Sequence, residues 1–305
     1  MNLHSFLGFE FSAIRLDDLN ILTDFLRRYP QPLSGYTFST LAAWHPFFHY
    51  GWTFAEPETL LISCALDTDI YPRLLQPIGL FSPELAQKLL KSAMDLPYPL
   101  KINGVSDRFL QANPDFVKYF AVQEDRAGSN YLYRASDLAN LAGRKYAKKR
   151  NLLSQASNLY AWSIQNLTQA LTDACFYVLD TILKEERPKM EKMLAREWSA
   201  LECTLRHFDL FNQRGLVVSV EGRAVAFSIY EAISPTTIAV HFERALRSYK
   251  GLYQVVNWET AKVVDSQGFE FINREEDLGD PGLRKAKMSY NPLEIVPAFE
   301  LTYKK

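Results

Sequence analysis

The sequence predicts an α+β fold built in two parts, on three observations. At 305 residues the chain exceeds a single domain of roughly 100–200 residues. Its second half reads as hairpin strands mixed with helices, a pattern of α+β rather than alternating α/β architecture. A composition shift at Gly143-Arg-Lys-Tyr-Ala-Lys-Lys-Arg150 packs five basic residues into a short stretch. The expected division is therefore 1–145 and 146–305.

In the first half, Asp17 to Tyr29 carries Leu19, Leu22, Phe25 and Leu26 on one helical side, and Pro30 stops it. Thr59 to Ala65 is short and apolar, as in a buried strand. Ser82-Pro-Glu-Leu reads as an N-cap followed by a first-turn proline, opening a helix to about Asp95. Tyr98 to Val105 suits a strand. Asp107 to Phe120 suits a helix interrupted at Pro114.

The second half is clearer. Leu167, Leu171, Ala174, Val178 and Ile182 form a helical stripe within Leu167 to Arg187. Pro188 is expected to open a second helix, ending near Phe208. Gly215 to Val220 and Arg223 to Ile233 flank the tight turn Glu221-Gly222, a hairpin signal. Thr236 to Glu243 alternates, setting Ile238, Val240 and Phe242 against Ala239, His241 and Glu243. A helix from Gly251 to about Ser266 ends at Gly268, which suits a left-handed cap. The strand Phe269 to Ile272, a short helix opened by Pro281, and a closing strand from Leu293 to Tyr303 complete the chain.

Helix, helix, three strands, helix, strand, helix, strand is the core order of the GNAT acyltransferase fold. Two tandem GNAT domains are expected, each a mixed, mostly antiparallel sheet flanked by helices. In that fold the strands here ending at Glu243 and Asn273 splay apart. The acyl donor lies in the gap, against the N-terminus of the intervening helix, whose unpaired amides suit an anion.

Bulk properties narrow the function. A formal net charge of −1 argues against a chain-wide electrostatic footprint for nucleic acid and leaves local patches open. Cys64, Cys175 and Cys203 form no Cys-x-x-Cys pair, so neither a zinc knuckle nor a dithiol motif is indicated. Buried free thiols in a reducing compartment are expected. The first ten residues lack a basic leader, and no uncharged apolar run reaches the ~18 residues of a membrane span. The expected setting is cytoplasmic, with no transmembrane segment. His45 and His49 stand four apart as in some zinc sites, but no acidic ligand lies between them. Trp44, Phe47 and Phe48 around them favour an aromatic core segment, and no metal site is expected.

The loop after the fourth second-half strand is the densest in special residues. Asn273-x-x-Glu276-Asp277-x-Gly279-x-x-Gly282-Leu283-Arg284-x-x-Lys287-x-x-Tyr290-x-Pro292 resembles the signature of the C-terminal domain of bacterial phosphatidylglycerol lysyltransferases. Asp137-Leu-x-x-Leu141-x-Gly143-x-x-Tyr-x-x-Lys148-Lys149-Arg150-Asn151 is similar to that family's linking segment, and Tyr29-Pro-x-Pro-x-Ser34 adds to the likeness. The resemblance implies tandem GNAT-like domains with shared ancestry with Fem-type peptidyltransferases, and a degenerate N-terminal domain. It implies transfer of an aminoacyl group from aminoacyl-tRNA. The acceptor is left open among a small molecule, a lipid head group and a peptide, because a membrane-spanning half like that of the lysyltransferases is not expected from these 305 residues.

Candidate residues follow. A CoA-binding loop needs glycines so that backbone amides can approach pyrophosphate. Leu246-Arg-Ser-Tyr-Lys-Gly-Leu-Tyr253 offers only Gly251, followed by bulky residues. Aminoacyl-tRNA is thus preferred to acyl-CoA as donor, with no tightly bound cofactor. His241 and Glu243 share one strand face. Either one is a general base, as histidine chemistry suits, or both position substrate, or the face is merely polar. Arg284 and Lys287 are read as binding a phosphate or carboxylate, against a solvated basic turn. Glu276 and Asp277 either recognise an amino group or pair with Arg284, and Glu276 joins His241 and Glu243 as a catalytic candidate. Asn273 and Gly251 complete the substrate-binding set. The cluster at 144–150 either touches a tRNA backbone or is a solvated helix face. Two alternatives stand beside the aminoacyltransferase: a non-catalytic ligand-binding module on the same scaffold, and a CoA-dependent N-acyltransferase.

Overall fold

The computed structural model describes residues 5–66, 70–186 and 192–305. The chain forms two compact units. One comprises Met1–Asn130, Glu276–Asp280 and Val296–Lys305, the other Tyr131–Glu275 and Pro281–Ile295. The basic stretch at 143–150 therefore lies inside the second unit. Composition marks positions along the chain, whereas a compact unit is defined by packing, which here gathers three separated segments into the first unit.

The first unit opens with a two-stranded hairpin, β1 (Ser5–Phe6) and β2 (Phe9–Glu10), then β3 (Ser12–Ala13). Helices α1 (Leu19–Arg28) and α2 (Phe38–Phe48) follow, then β4 (Gly51–Glu56), β5 (Thr59–Cys64), β6 (Arg73–Leu75) and β7 (Ile78–Gly79). Next come α3 (Pro83–Asp95), β8 (Lys101–Ser106), α4 (Asp107–Ala112), α5 (Pro114–Val117) and the long strand β9 (Phe120–Arg134), along which the chain leaves the unit. The sheet runs β3-β4-β5-β6-β8 and then the closing strand Glu294–Tyr303, with β7 on β5. All pairs are antiparallel except β6 with β8. Its core is the apolar side of α3 on this sheet, with Leu61, Leu74, Leu89, Leu100, Ile102 and Leu301 fully buried. Each such side chain contributes about 1.5–3 kcal/mol by leaving water. The expected caps are present. Ser82 Oγ accepts from Leu85 N at 3.0 Å, and Pro114 splits α4 from α5 because its nitrogen cannot donate to the helix ladder.

The second unit continues with α6 (Ala135–Asn140), α7 (Ala147–Leu159), β10 (Trp162–Asn166), α8 (Thr172–Glu186) and α9 (Lys192–Arg206). Pro188 lies outside the described residues. Then come β11 (Arg214–Val220), β12 (Arg223–Ala232), β13 (Thr237–Ala245), α10 (Leu252–Ser266), β14 (Phe271–Asn273), α11 (Pro281–Met288) and the start of β15 (Glu294–Tyr303). The sheet order is β10-β11-β12-β13-β14 and the end of β9. Glu221 and Gly222 join β11 to β12 with φ of 52° and 75°, the positive pair that a tight hairpin turn requires. β13 and β14 are parallel, and every other pair here is antiparallel. Among the described residues, one parallel pair in each unit brackets a helix: β6 and β8 around α3, β13 and β14 around α10. This shared strand–helix–strand kernel makes the fold α+β with two GNAT-like halves, as expected from the element order. No helix among the described residues is long and apolar enough to cross a membrane.

Candidate functional site

Strand register creates the site. β13 and β14 pair only through Thr237↔Phe271, Ile238↔Ile272 and Ala239↔Asn273. β13 then runs on to Ala245, while the chain leaves β14 after Asn273. The two strands part where the fold predicts. The parting exposes the flank of β13 to α10 and to the loop that follows β14.

A bulge aims the first side chain into this region. Opposite Tyr230 and Ile229 of β12 stand Val240 and Phe242 of β13, leaving His241 as an extra residue. Bulges redirect side chains in this way. The imidazole is buried, with Nδ1 2.7 Å from Glu275 Oε1 and Nε2 2.8 Å from Glu231 Oε1. A carboxylate at each ring nitrogen favours the imidazolium, the form in which both nitrogens donate. Burial pulls its pKa down, but Glu275 and Glu231 outweigh that and hold it up to about 10. A general-base role for His241 does not fit this arrangement: near neutral pH the ring already carries the proton that a base would take.

Glu243, two residues on, faces a different partner. Its Oε1 accepts from Arg274 Nη2 at 3.1 Å, and its Oε2 lies 3.3 Å from Asn257 Nδ2 on α10. Only 11% and 14% of the two charged side chains remain accessible, so this ion pair is largely desolvated and depends on its own geometry. The pair reaches from the free stretch of β13 to the first residue beyond β14. Arg274 also lies over the rings of Tyr290 and Tyr133, 5.0 and 5.9 Å from their centroids. Its Nη1 is buried without an acceptor, as is Asn257 Oδ1 without a donor.

The remaining candidates separate. Asn273 is fully buried; its Oδ1 accepts from Glu275 N at 2.8 Å, an Asx turn that starts the loop. Lys287 on α11 is buried and donates from Nζ to Arg274 O at 2.5 Å. Tyr133 Oη in turn donates to Lys287 O at 2.8 Å, so Lys287 clamps the loop end to α11. Arg284 is half-buried on α11. Glu276 and Asp277 belong to the first unit. There Asp277, fully buried, takes Arg126 Nη1 at 3.2 Å and Gly279 N at 2.9 Å. Gly251 precedes α10 with φ of 85°. A Cβ on it would stand 3.1 Å from both Ala156 Cβ and Leu152 O, so its small size lets α7 pack against the helix start.

Thus His241, Glu243, Asn273 and Lys287 gather around Arg274 and Glu275. Sequence reading missed Glu231, Asn257, Arg274 and Glu275 as site residues. Arg274 and Glu275 fell at unspecified positions of the signature. Asn257 and Glu231 carried no local signal, because register and helix packing bring them in. The basic cluster also resolves. Arg150 donates to the carbonyls of Leu141 and Gly143, ending α6; Lys145 pairs with Asp137; Lys149 is buried; Arg144 and Lys148 are exposed.

A family model described as "Phosphatidylglycerol lysyltransferase, C-terminal" matches residues 26–301. No curated protein matches the sequence. A conserved protein of unknown function from Bacteroides thetaiotaomicron is 28% identical, with a TM-score of 0.88 over 96% of this chain and 99% of its own. L-PGS from Bacillus licheniformis is 15% identical at a TM-score of 0.66, over 94% of this chain and 92% of its own. FemX is 9% identical at 0.60, over 97% and 98%. The last two establish likeness of fold alone.

Proposed function

Because this chain belongs to the phosphatidylglycerol lysyltransferase C-terminal family, we propose that it is an aminoacyltransferase acting where β13 and β14 part. The donor is aminoacyl-tRNA and the acceptor an amine or hydroxyl. The observation that carries this reading is the Glu243–Arg274 pair at 3.1 Å across the parting strands, with Asn257 of α10 on the same carboxylate.

The chemistry asks little of a base. An ester on tRNA is already activated: an unprotonated amine attacks its carbonyl carbon, the bond to the ribose oxygen breaks, and the proton that the nitrogen loses ends on the departing ribose hydroxyl. The protein then supplies orientation and a field that suits the developing oxyanion. The fixed Arg274 guanidinium and a backbone amide at the parting strands are suited to that task. His241, held as a cation by two carboxylates, shapes the field and fixes the bulge. The loop before α10 supports a donor other than CoA: Gly251 is its one glycine and the bulky Leu252 and Tyr253 follow it, whereas backbone amides need glycines to approach a pyrophosphate. A hydroxyl acceptor would need a proton acceptor, and Glu243 is the nearest carboxylate to the guanidinium.

A transfer assay tests this. A panel of labelled aminoacyl-tRNAs and acyl-CoAs is offered with lipid, peptide and small amine acceptors. Label is expected to leave an aminoacyl-tRNA for one acceptor class. Transfer from acyl-CoA alone would support the N-acyltransferase, and no transfer from any donor would support the binding module.

A further inference from the structure

Around Tyr290 the second unit buries more positive charge than it balances. Lys149, on α7, is buried. Its Nζ donates to Ser289 Oγ at 2.6 Å and lies 3.7 Å from the centroid of the Tyr290 ring. The Ser289 hydroxyl donates onward to Ala286 O at 2.6 Å, so it offers Lys149 no negative charge. No carboxylate pairs with Lys149 among the described residues. Arg274 lies against the same ring at 5.0 Å. One of its edges is neutralised by Glu243, and Nη1 has no acceptor. Burial, and then the Arg274 charge, bring Lys149 down to about 8. A buried cation without a counter-charge is costly, and an incoming anion relieves that cost for both groups at once.

We propose that Lys149 and the unpaired edge of Arg274 form a seat for a phosphate-type oxyanion of the substrate, beside the Tyr290 ring. Arginine suits phosphate through its planar fork, and lysine adds a point charge. Which molecule carries the phosphate rests on the transfer reading above; whether the seat exists does not. Under that reading the carrier is the acyl donor, whose phosphodiester backbone adjoins the reacting ester.

The test follows the titration of Lys149 by NMR of the full chain grown on 13C-lysine, with the Lys149 Cε signal assigned by its loss in Lys149→Arg. Inorganic phosphate at about 50 mM is compared with chloride and acetate at equal ionic strength. An anion that binds the charged amine raises its midpoint, and about one pH unit corresponds to about tenfold tighter binding to the protonated form. The expected result is a rise of about one unit in phosphate, smaller in acetate, and lost in Arg274→Lys that circular dichroism shows to be folded. A midpoint that stays put in phosphate, or an equal rise in acetate, would overturn the seat. Cytidylyl-adenosine and glycerophosphoglycerol then separate donor from head group: whichever moves the midpoint at the lower concentration is the carrier class. None of these measurements involves transfer, so loss of the seat and loss of the transfer reading are distinguishable.

Discussion

Free histidine titrates near pH 6.5, whereas His241 is held protonated by Glu275 and Glu231 to about 10. A group whose pKa is raised on folding stabilises the protein fully below its unfolded value. That stabilisation fades as pH rises through the folded value. The unfolding free energy of the native chain minus that of His241→Gln should therefore be largest below pH 6.5 and should decline towards pH 10; a flat difference would show a neutral ring. Glu243→Ala should leave Arg274 buried without its carboxylate and cost about 3 kcal/mol in urea unfolding. The double substitution Glu243→Ala/Arg274→Met should cost less than the sum of the two singles, because each single change strands a charge that the double change removes.

Elements explain which parts were legible. The hairpin β11–β12, the Ser82 cap and the Pro114 break rest on local chemistry, and each stands where the sequence placed it. Ser82→Ala should lower stability by about 1 kcal/mol through the lost cap, read as a shift in the denaturation midpoint. β9 and β10 were not foreseen. The first half of β9 is an exposed run from Ala121 to Asp125 that carries Gln123, Glu124 and Asp125 in succession, so neither alternation nor an apolar run announced it. The site was half legible for the same reason. The face carrying His241 and Glu243 follows from period-two alternation, but the bulge that sets His241 between carboxylates depends on its partner strand. Glu276 and Asp277 shared a motif with Lys287, yet they sit in the other compact unit, because a dense motif does not imply a single site. Gly251 invites a sharper test. Alanine there meets α7 at 3.1 Å in a left-handed backbone, so Gly251→Ala should destabilise by at least about 1 kcal/mol and loosen α7, seen as faster amide exchange over 147–159.

At the scale of the whole molecule, both units use a parallel strand pair around one helix, but the parted strands with the buried Glu243–Arg274 pair belong to the second. The central claim is that acyl transfer occurs there, beside Glu243 and Arg274. The most direct measurement is the single-turnover rate of label transfer from aminoacyl-tRNA, comparing the native chain with Arg274→Lys at matched thermal stability. Lysine keeps the charge but not the fork that reaches Glu243 and the substrate together. The expected result is a loss of at least about tenfold in rate, equivalent to about 1.4 kcal/mol of transition-state stabilisation. An undiminished rate in a folded Arg274→Lys protein would contradict the claim.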